Sequence, residues 1–157
     1  MCGWLKSLTC VLATRNKFNH YLKRKAIMIE PIRTFLETPR VAYLSSIDLR
    51  GYPHTVPVWF AVDGDDLIFS TAKSRTRVKH VLVNSKGAVT IGGNMGDPEG
   101  YLIQGDFKID EDPTKALRNK VITRYISGEA LEQFLTRMAH EERLIIRLTP
   151  TKVIRVR

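Results

Sequence analysis

The chain has 157 residues, 43% of them hydrophobic, with a formal net charge of +9 and a pI near 9.8. That length fits one globular domain able to bury about two thirds of its unfolded surface, and it excludes a second full domain. Six of the nine net charges sit in the first 27 residues, on Lys6, Arg15, Lys17, Lys23, Arg24 and Lys25 with no acid among them. The body from Met28 onward is therefore only mildly basic, and no nucleic-acid partner is expected of it.

The leader, residues 1–27, has no apolar run approaching the roughly 20 residues of a membrane span. Its charge density rises after Thr14 instead of preceding an apolar core, unlike a secretory signal. It reads as a basic extension, loosely packed or arising from start-codon choice, ahead of a domain over residues 28–157. The alternative is an amphipathic anchor on anionic lipid or nucleic acid. Both cysteines, Cys2 and Cys10, lie in the leader. No disulfide framework or cysteine zinc site can then support the body, which agrees with a reducing cytoplasm.

The segment Pro31 to Thr38 carries Ile32, Phe35 and Leu36 at helical spacing behind a proline and predicts a short helix that Pro39 ends. Val41 to Ile47 reads as a strand, Asp48 to Gly51 as a turn, and Pro53 to Val62 as a second strand paired with the first. Asp63-Gly64-Asp65 offers a hairpin turn into the strand Leu67 to Thr71. A helix with Ser74 as its N-cap follows through Val78, Val81 and Leu82, then a strand over Gly87 to Gly92, a turn-rich loop, and a strand over Tyr101 to Ile109 with a bulge at Gly105. Two helices come next, one opened by Asp112-Pro113 and one bearing Leu131, Phe134, Leu135 and Met138. The final strand, Leu144 to Ile154, bends at Pro150. Short strands in hairpins with a few helices around them predict a mainly β protein built on a small closed antiparallel barrel.

Two features carry chemistry. Pro57 cannot donate to a β-ladder, so the strand around it leaves backbone groups free for a planar ligand edge. Val56, Val58, Phe60 and Val62 alternate with Trp59 and Ala61, and a strand apolar on both sides needs cover on its second face, from a ring system or a second subunit. Beyond the next strand Ser70, Thr71, Lys73, Ser74, Arg75, Arg77 and Lys79 lie within ten positions. Arg75 and Lys79 stand one helical turn apart with Arg77 between them, and together with Thr71 they can hold a terminal phosphate.

No P-loop, H-E-x-x-H or G-x-S-x-G sequence occurs, and Gly92 to Gly96 lacks the helix that a dinucleotide loop requires. Asp63, Asp65 and Asp66 are explained by turn chemistry, so no metal site is expected. His20 and His140 read as solvated; His54 and His80 lie near the proposed site. No catalytic side chain is assigned.

The stretches GYPHTVPVWF, DGDDLIFST, SRTRVKHV and YLIQGDFKI, in that order, give the chain from about Ile29 to Val156 a resemblance to the pyridoxamine 5′-phosphate oxidase-like split-barrel flavoproteins. The resemblance implies a split β-barrel of six or so antiparallel strands with Greek-key connections. It implies a homodimer with two cofactor sites at the subunit interface, binding FMN or, in one branch, a deazaflavin.

The flavin ring would lie along Val56, Pro57, Val58 and Trp59. Ser70 and Thr71 would meet the ribityl and phosphate portion, and Arg75, Arg77 and Lys79 would neutralise the phosphate. The family usually has Lys at the position of Arg77 and often Asn at that of His80; Arg still supplies charge and a forked donor. The strand Thr55 to Phe60 lacks the Arg and Lys of true pyridoxamine phosphate oxidases, and no longer substrate segment follows Arg157. The resemblance thus implies an oxidoreductase that acts on some other small planar substrate. A deazaflavin's anionic tail would draw on Arg50, Lys73 and Arg75. A non-enzymatic relative storing flavin or holding haem would need His54 or His80 as axial ligand.

Overall fold

Residues 28–157 are described by a computed structural model; the basic leader, with Cys2, Cys10 and His20, lies outside the described residues. A 3-10 turn over Glu30–Ile32 runs into helix α1 (Arg33–Glu37), whose Leu36 is buried. Period-two alternation then makes Ala42–Ile47 the first strand, β1: Ala42, Leu44 and Ser46 are buried, and Tyr43, Ser45 and Ile47 take the outer face. The following turn is set by the Asp48 carboxylate, which accepts the backbone N–H groups of Arg50 at 2.8 Å and Tyr52 at 2.9 Å. The chain returns as β2 (Pro53–Val58), antiparallel to β1 as expected.

The run Pro53 to Val62 is not one strand. It breaks at Trp59-Phe60, and Ala61–Asp63 forms a separate strand, β3, that pairs with β4 (Asp66–Ala72). The two halves occupy opposite edges of one seven-stranded antiparallel sheet, in the order β2-β1-β5-β6-β7-β4-β3. Phe60, fully buried, is the corner residue. Its backbone N–H, which no ladder takes up, donates to the Tyr125 hydroxyl at 3.1 Å, and that hydroxyl donates to the Arg40 carbonyl at 2.8 Å. No ladder joins β2 to β3, so the sheet is not closed by hydrogen bonds; this is a split barrel rather than a closed one.

Helix α2 (Thr76–Val83) crosses from β4 to β5 (Lys86–Gly92), and β6 (Gly100–Asp110) follows. Helices α3 (Ala116–Ile122) and α4 (Gly128–Arg137) then lead to β7 (Arg143–Arg155). Strands β5, β6 and β7 are consecutive neighbours with β4 returning beside β7, a Greek-key arrangement. The irregularity expected at Gly105 is present. Gln104 pairs with Lys152 and Gly105 with Pro150, so the extra residue is Thr151 on the partner strand. A Cβ at Gly105 would collide with the Thr149 carbonyl oxygen, which explains the glycine.

The main core fills the barrel with Leu44, Phe60, Phe69, Ile91, Ile103 and Leu148. A smaller cluster of Ala61, Ile68, Val121 and Ile145 seats α3 on the outside of β3 and β4. Ion pairs tie the same region together: Arg147 bonds Asp110 at 2.6 Å and Asp63 at 2.8 Å, and Lys120 reaches Asp63 at 2.8 Å. Among the described residues no helix is long and apolar enough to cross a membrane.

Candidate functional site

The corner after β2 and the end of β4 come together with the start of α2. A pocket of about 370 Å³ is lined by Val41, Pro57, Val58, Trp59, Ser70, Arg77 and Phe134. Five of the nine residues expected to meet a cofactor therefore share one cavity, although 76 chain positions separate Val58 from Phe134 across it. Pro57 sits on an edge strand, where its missing N–H costs no ladder bond. Trp59 stacks on Tyr125, with centroids 4.8 Å apart and planes within 4°, and meets the tilted ring of Phe134 at 5.4 Å. The second face of this segment is thus covered by aromatic residues of its own chain.

The polar end of the pocket has two groups. Arg77 is half-buried and makes no hydrogen bond or ion pair with any described residue. Its burial, reinforced by the nearby charges of Arg75 and Arg143, pushes its pKa below the ordinary arginine value. Ser70 accepts from Arg143 Nε at 3.1 Å, and its backbone carbonyl accepts from Arg143 Nη2 at 3.1 Å. The other branch of that guanidinium is taken by Glu141 at 2.6 Å. Arg143 thereby fixes Ser70 and leaves the Ser70 hydroxyl proton free to donate, whereas Arg77 keeps its whole donor fork available.

The remaining expected residues lie elsewhere. Thr71 is buried on the core face of β4, with its hydroxyl unpartnered. Strand alternation, having turned Ser70 to the pocket, sends its neighbour inward. Val56 pairs with Leu44 on the inner face of β2. Lys79 is exposed on α2 and does not line the pocket. Arg75 is the N-cap residue of α2, in extended conformation and with no side-chain capping bond, so the cap is not Ser74. It lines an open cleft of about 650 Å³ with Lys73, Ser74, Thr76, His140 and Glu142. In that cleft Lys73 is neutralised by Glu142 at 2.5 Å, which raises its pKa.

His54 and His80 are outside the pocket and face each other. Among the described residues no group of three His, Cys, Asp or Glu side chains could hold a metal ion. Sequence reasoning missed Val41, Tyr125, Phe134 and Arg143, whose contributions depend on long-range pairing and helix packing.

Comparison with known proteins gives three results. The family model described as pyridoxamine 5′-phosphate oxidase matches residues 28–157. No curated protein matches the chain. Among solved structures, an F420 reductase is 23% identical with a TM-score of 0.63, over 78% of this chain and 94% of that one. A conserved hypothetical protein from Mycobacterium tuberculosis is 20% identical with a TM-score of 0.68, over 83% and 86%. General Stress Protein 26 from Bacillus anthracis is 20% identical with a TM-score of 0.62, over 80% and 91%. At these identities the three structures support the split-barrel fold.

Proposed function

Because this chain belongs to the pyridoxamine 5′-phosphate oxidase family, whose model matches residues 28–157, we propose that it is a flavin-dependent oxidoreductase. In this reading it binds FMN in the pocket between Trp59 and Arg77 and works as a homodimer on a small planar substrate. The observation that carries the reading is Arg77, a half-buried guanidinium without a counter-ion in a pocket that is apolar apart from it and Ser70. A cation withdrawn from water and left unpaired is costly, and a phosphate supplies the missing charge through a forked, bidentate contact. The residues present fit the cofactor: Pro57, Val58 and Trp59 give a flat apolar wall, and Ser70 and Arg77 give donors for an anionic tail.

When bound, the flavin itself supplies hydride-transfer chemistry, which is why the chain needs no catalytic triad. The protein's own part is placement. Tyr125 and Phe134 hold Trp59 in its plane, Arg143 orients Ser70, and the apolar lining excludes water. The pocket opens beside the outer face of the sheet, where Tyr43 pairs with Pro57 and Ser45 with Thr55. That face continues through Ala88, Thr90 and Gln104 and then meets the Lys86–Asp106 ion pair and Lys152; an uncharged patch bordered by charges suits a second copy of the chain, which would complete the site.

A deazaflavin in place of FMN is the second reading. It is favoured by Arg75, which has no acidic partner and lines the adjoining cleft where a longer anionic tail could run. The absorption spectrum of the purified protein tests both. Two bands in the blue and near ultraviolet support FMN, one shifted band supports the deazaflavin, and failure to bind either at saturating concentration refutes the proposal.

A further inference from the structure

Helix α4 touches the pocket but is hardly held by the rest of the chain. Its apolar residues Leu131, Phe134 and Leu135 fall on one stripe at helical spacing. Yet none of its ten residues is buried, whereas the eight-residue α2 buries Val78 and Val81. The side-chain hydrogen bonds of α4 stay inside the helix, from Gln133 to Glu129 and from the Thr136 hydroxyl to the Glu132 carbonyl, each at 2.9 Å. None reaches another element among the described residues. Across the pocket, Phe134 meets the Trp59 ring.

The chain on either side of α4 is fixed. Before it, the Tyr125 hydroxyl is tied to the Arg40 carbonyl and the Phe60 N–H, and the Tyr125 ring stacks on Trp59. After it, Met138 is buried, Glu141 pairs with Arg143, and the Glu142 carbonyl accepts the Lys73 N–H at 2.9 Å. Between these anchors Ser127 makes no side-chain cap, and Gly128 takes a φ of +59° with open space where a Cβ would stand. A glycine there can absorb the backbone rotation of a hinge.

We propose that α4 is a lid hinged at Gly128 and that Phe134 is its gate, which withdraws to admit a planar ring to the pocket and then closes over it. A helix of this length is marginal by itself, so its position depends on how well its apolar stripe is covered. That stripe is only half-buried, and segments with little buried surface open at small free-energy cost. A ring held between Phe134 and the wall of Pro57, Val58 and Trp59 gives the stripe the apolar surface it lacks, so binding favours the closed lid. When Phe134 withdraws, Trp59 keeps its place through the Tyr125 stack, and the wall stays formed while the entrance is open. The opening is a property of the chain alone; that the admitted ring belongs to FMN rests on the function proposed above.

Amide hydrogen exchange of the full-length, ligand-free protein tests the lid without any cofactor. The hydrogen-bonded amides of α4 should exchange about tenfold or more faster than those of α2. Equal protection of the two helices overturns the proposal. Saturating FMN should slow exchange in α4 more than in α2, and α4 amides that ignore a bound FMN overturn it as well. Stopped-flow binding reads the gate: Phe134→Ala should raise the FMN association rate constant by roughly fivefold or more, whereas loss of a fixed wall contact would speed dissociation alone. Faster dissociation with unchanged association overturns the gate. Should FMN fail to bind at all, the functional reading falls, and exchange in the ligand-free protein alone decides the lid.

Discussion

Replacing Arg77 by alanine separates two effects that usually move together. The guanidinium is half-buried, lacks an acidic partner, and is repelled by Arg75 and Arg143. Its pKa in the folded protein lies below the ordinary value, so the folded state binds its proton less tightly than the unfolded chain does. The charged form therefore costs stability at every pH below that ordinary value, neutrality included. Arg77→Ala should raise the melting temperature of the ligand-free protein, or at the least leave it unlowered.

The same change removes a charged hydrogen-bond partner of the phosphate, worth about 1–3 kcal/mol. At 1.4 kcal/mol per tenfold, FMN affinity should fall by roughly 5- to 150-fold. Quenching of flavin fluorescence on titration reads the affinity, and thermal melting with and without FMN reads both stabilities. An unchanged dissociation constant would refute the placement of the phosphate on Arg77. A ligand-free protein destabilised by several degrees would show that the side chain is a structural element with a partner the account has overlooked.

Three further outcomes follow from other parts of the molecule. Tyr125→Phe keeps the stack on Trp59 but strands the Phe60 N–H and the Arg40 carbonyl, and should cost about 1–3 kcal/mol in chemical denaturation; a loss below measurement error would count against the corner clamp. Lys120 and Arg147 hold the Asp63 carboxyl below its ordinary pKa, and Arg147 and Lys108 do the same for Asp110 against its burial. Stability from both is complete above the unfolded carboxylate value of about 3.9 and is lost as pH falls through the lower folded values. The acid limb of a melting-temperature profile should therefore flatten in Asp63→Asn, which at neutral pH should melt about 2–4 °C lower; an identical acid limb would contradict the ion-pair assignment. Tyr43→Asp puts a charge on the outer sheet face and should convert a dimer to a monomer in sedimentation, with weakened FMN binding; an unaltered sedimentation profile would move the interface elsewhere.

Much of the architecture was legible because it depends on local signals. Short strand-forming runs between turn residues marked β1 and β4, Asp48 to Gly51 and Asp63 to Asp65 marked the turns, and Gly105 marked the bulge. The corner at Trp59-Phe60 was hidden, since a continuous apolar run looks the same whether it pairs on one side throughout or changes partners halfway. The N-cap was misread because Ser74 has the right chemistry, while the backbone delays the helix to Thr76.

At the site, strand alternation decides that Ser70 faces the pocket and Thr71 the core, and this can be settled only once the buried face of β4 is known. Arg143 enters through the register that places it opposite Ala72. Phe134 arrives from α4 and Tyr125 from the turn between α3 and α4, and where these segments dock is not visible in the sequence. Pro57, Val58, Trp59, Ser70 and Arg77 were within reach because a strand end and the helix that follows it place them together.

The most direct measurement of the central claim is a structure of the protein grown with saturating FMN. The account predicts a ring along Pro57, Val58 and Trp59, with its phosphate on the Arg77 fork and the Ser70 hydroxyl. A pocket without ligand density, or an FMN whose phosphate lies away from Arg77, would contradict it.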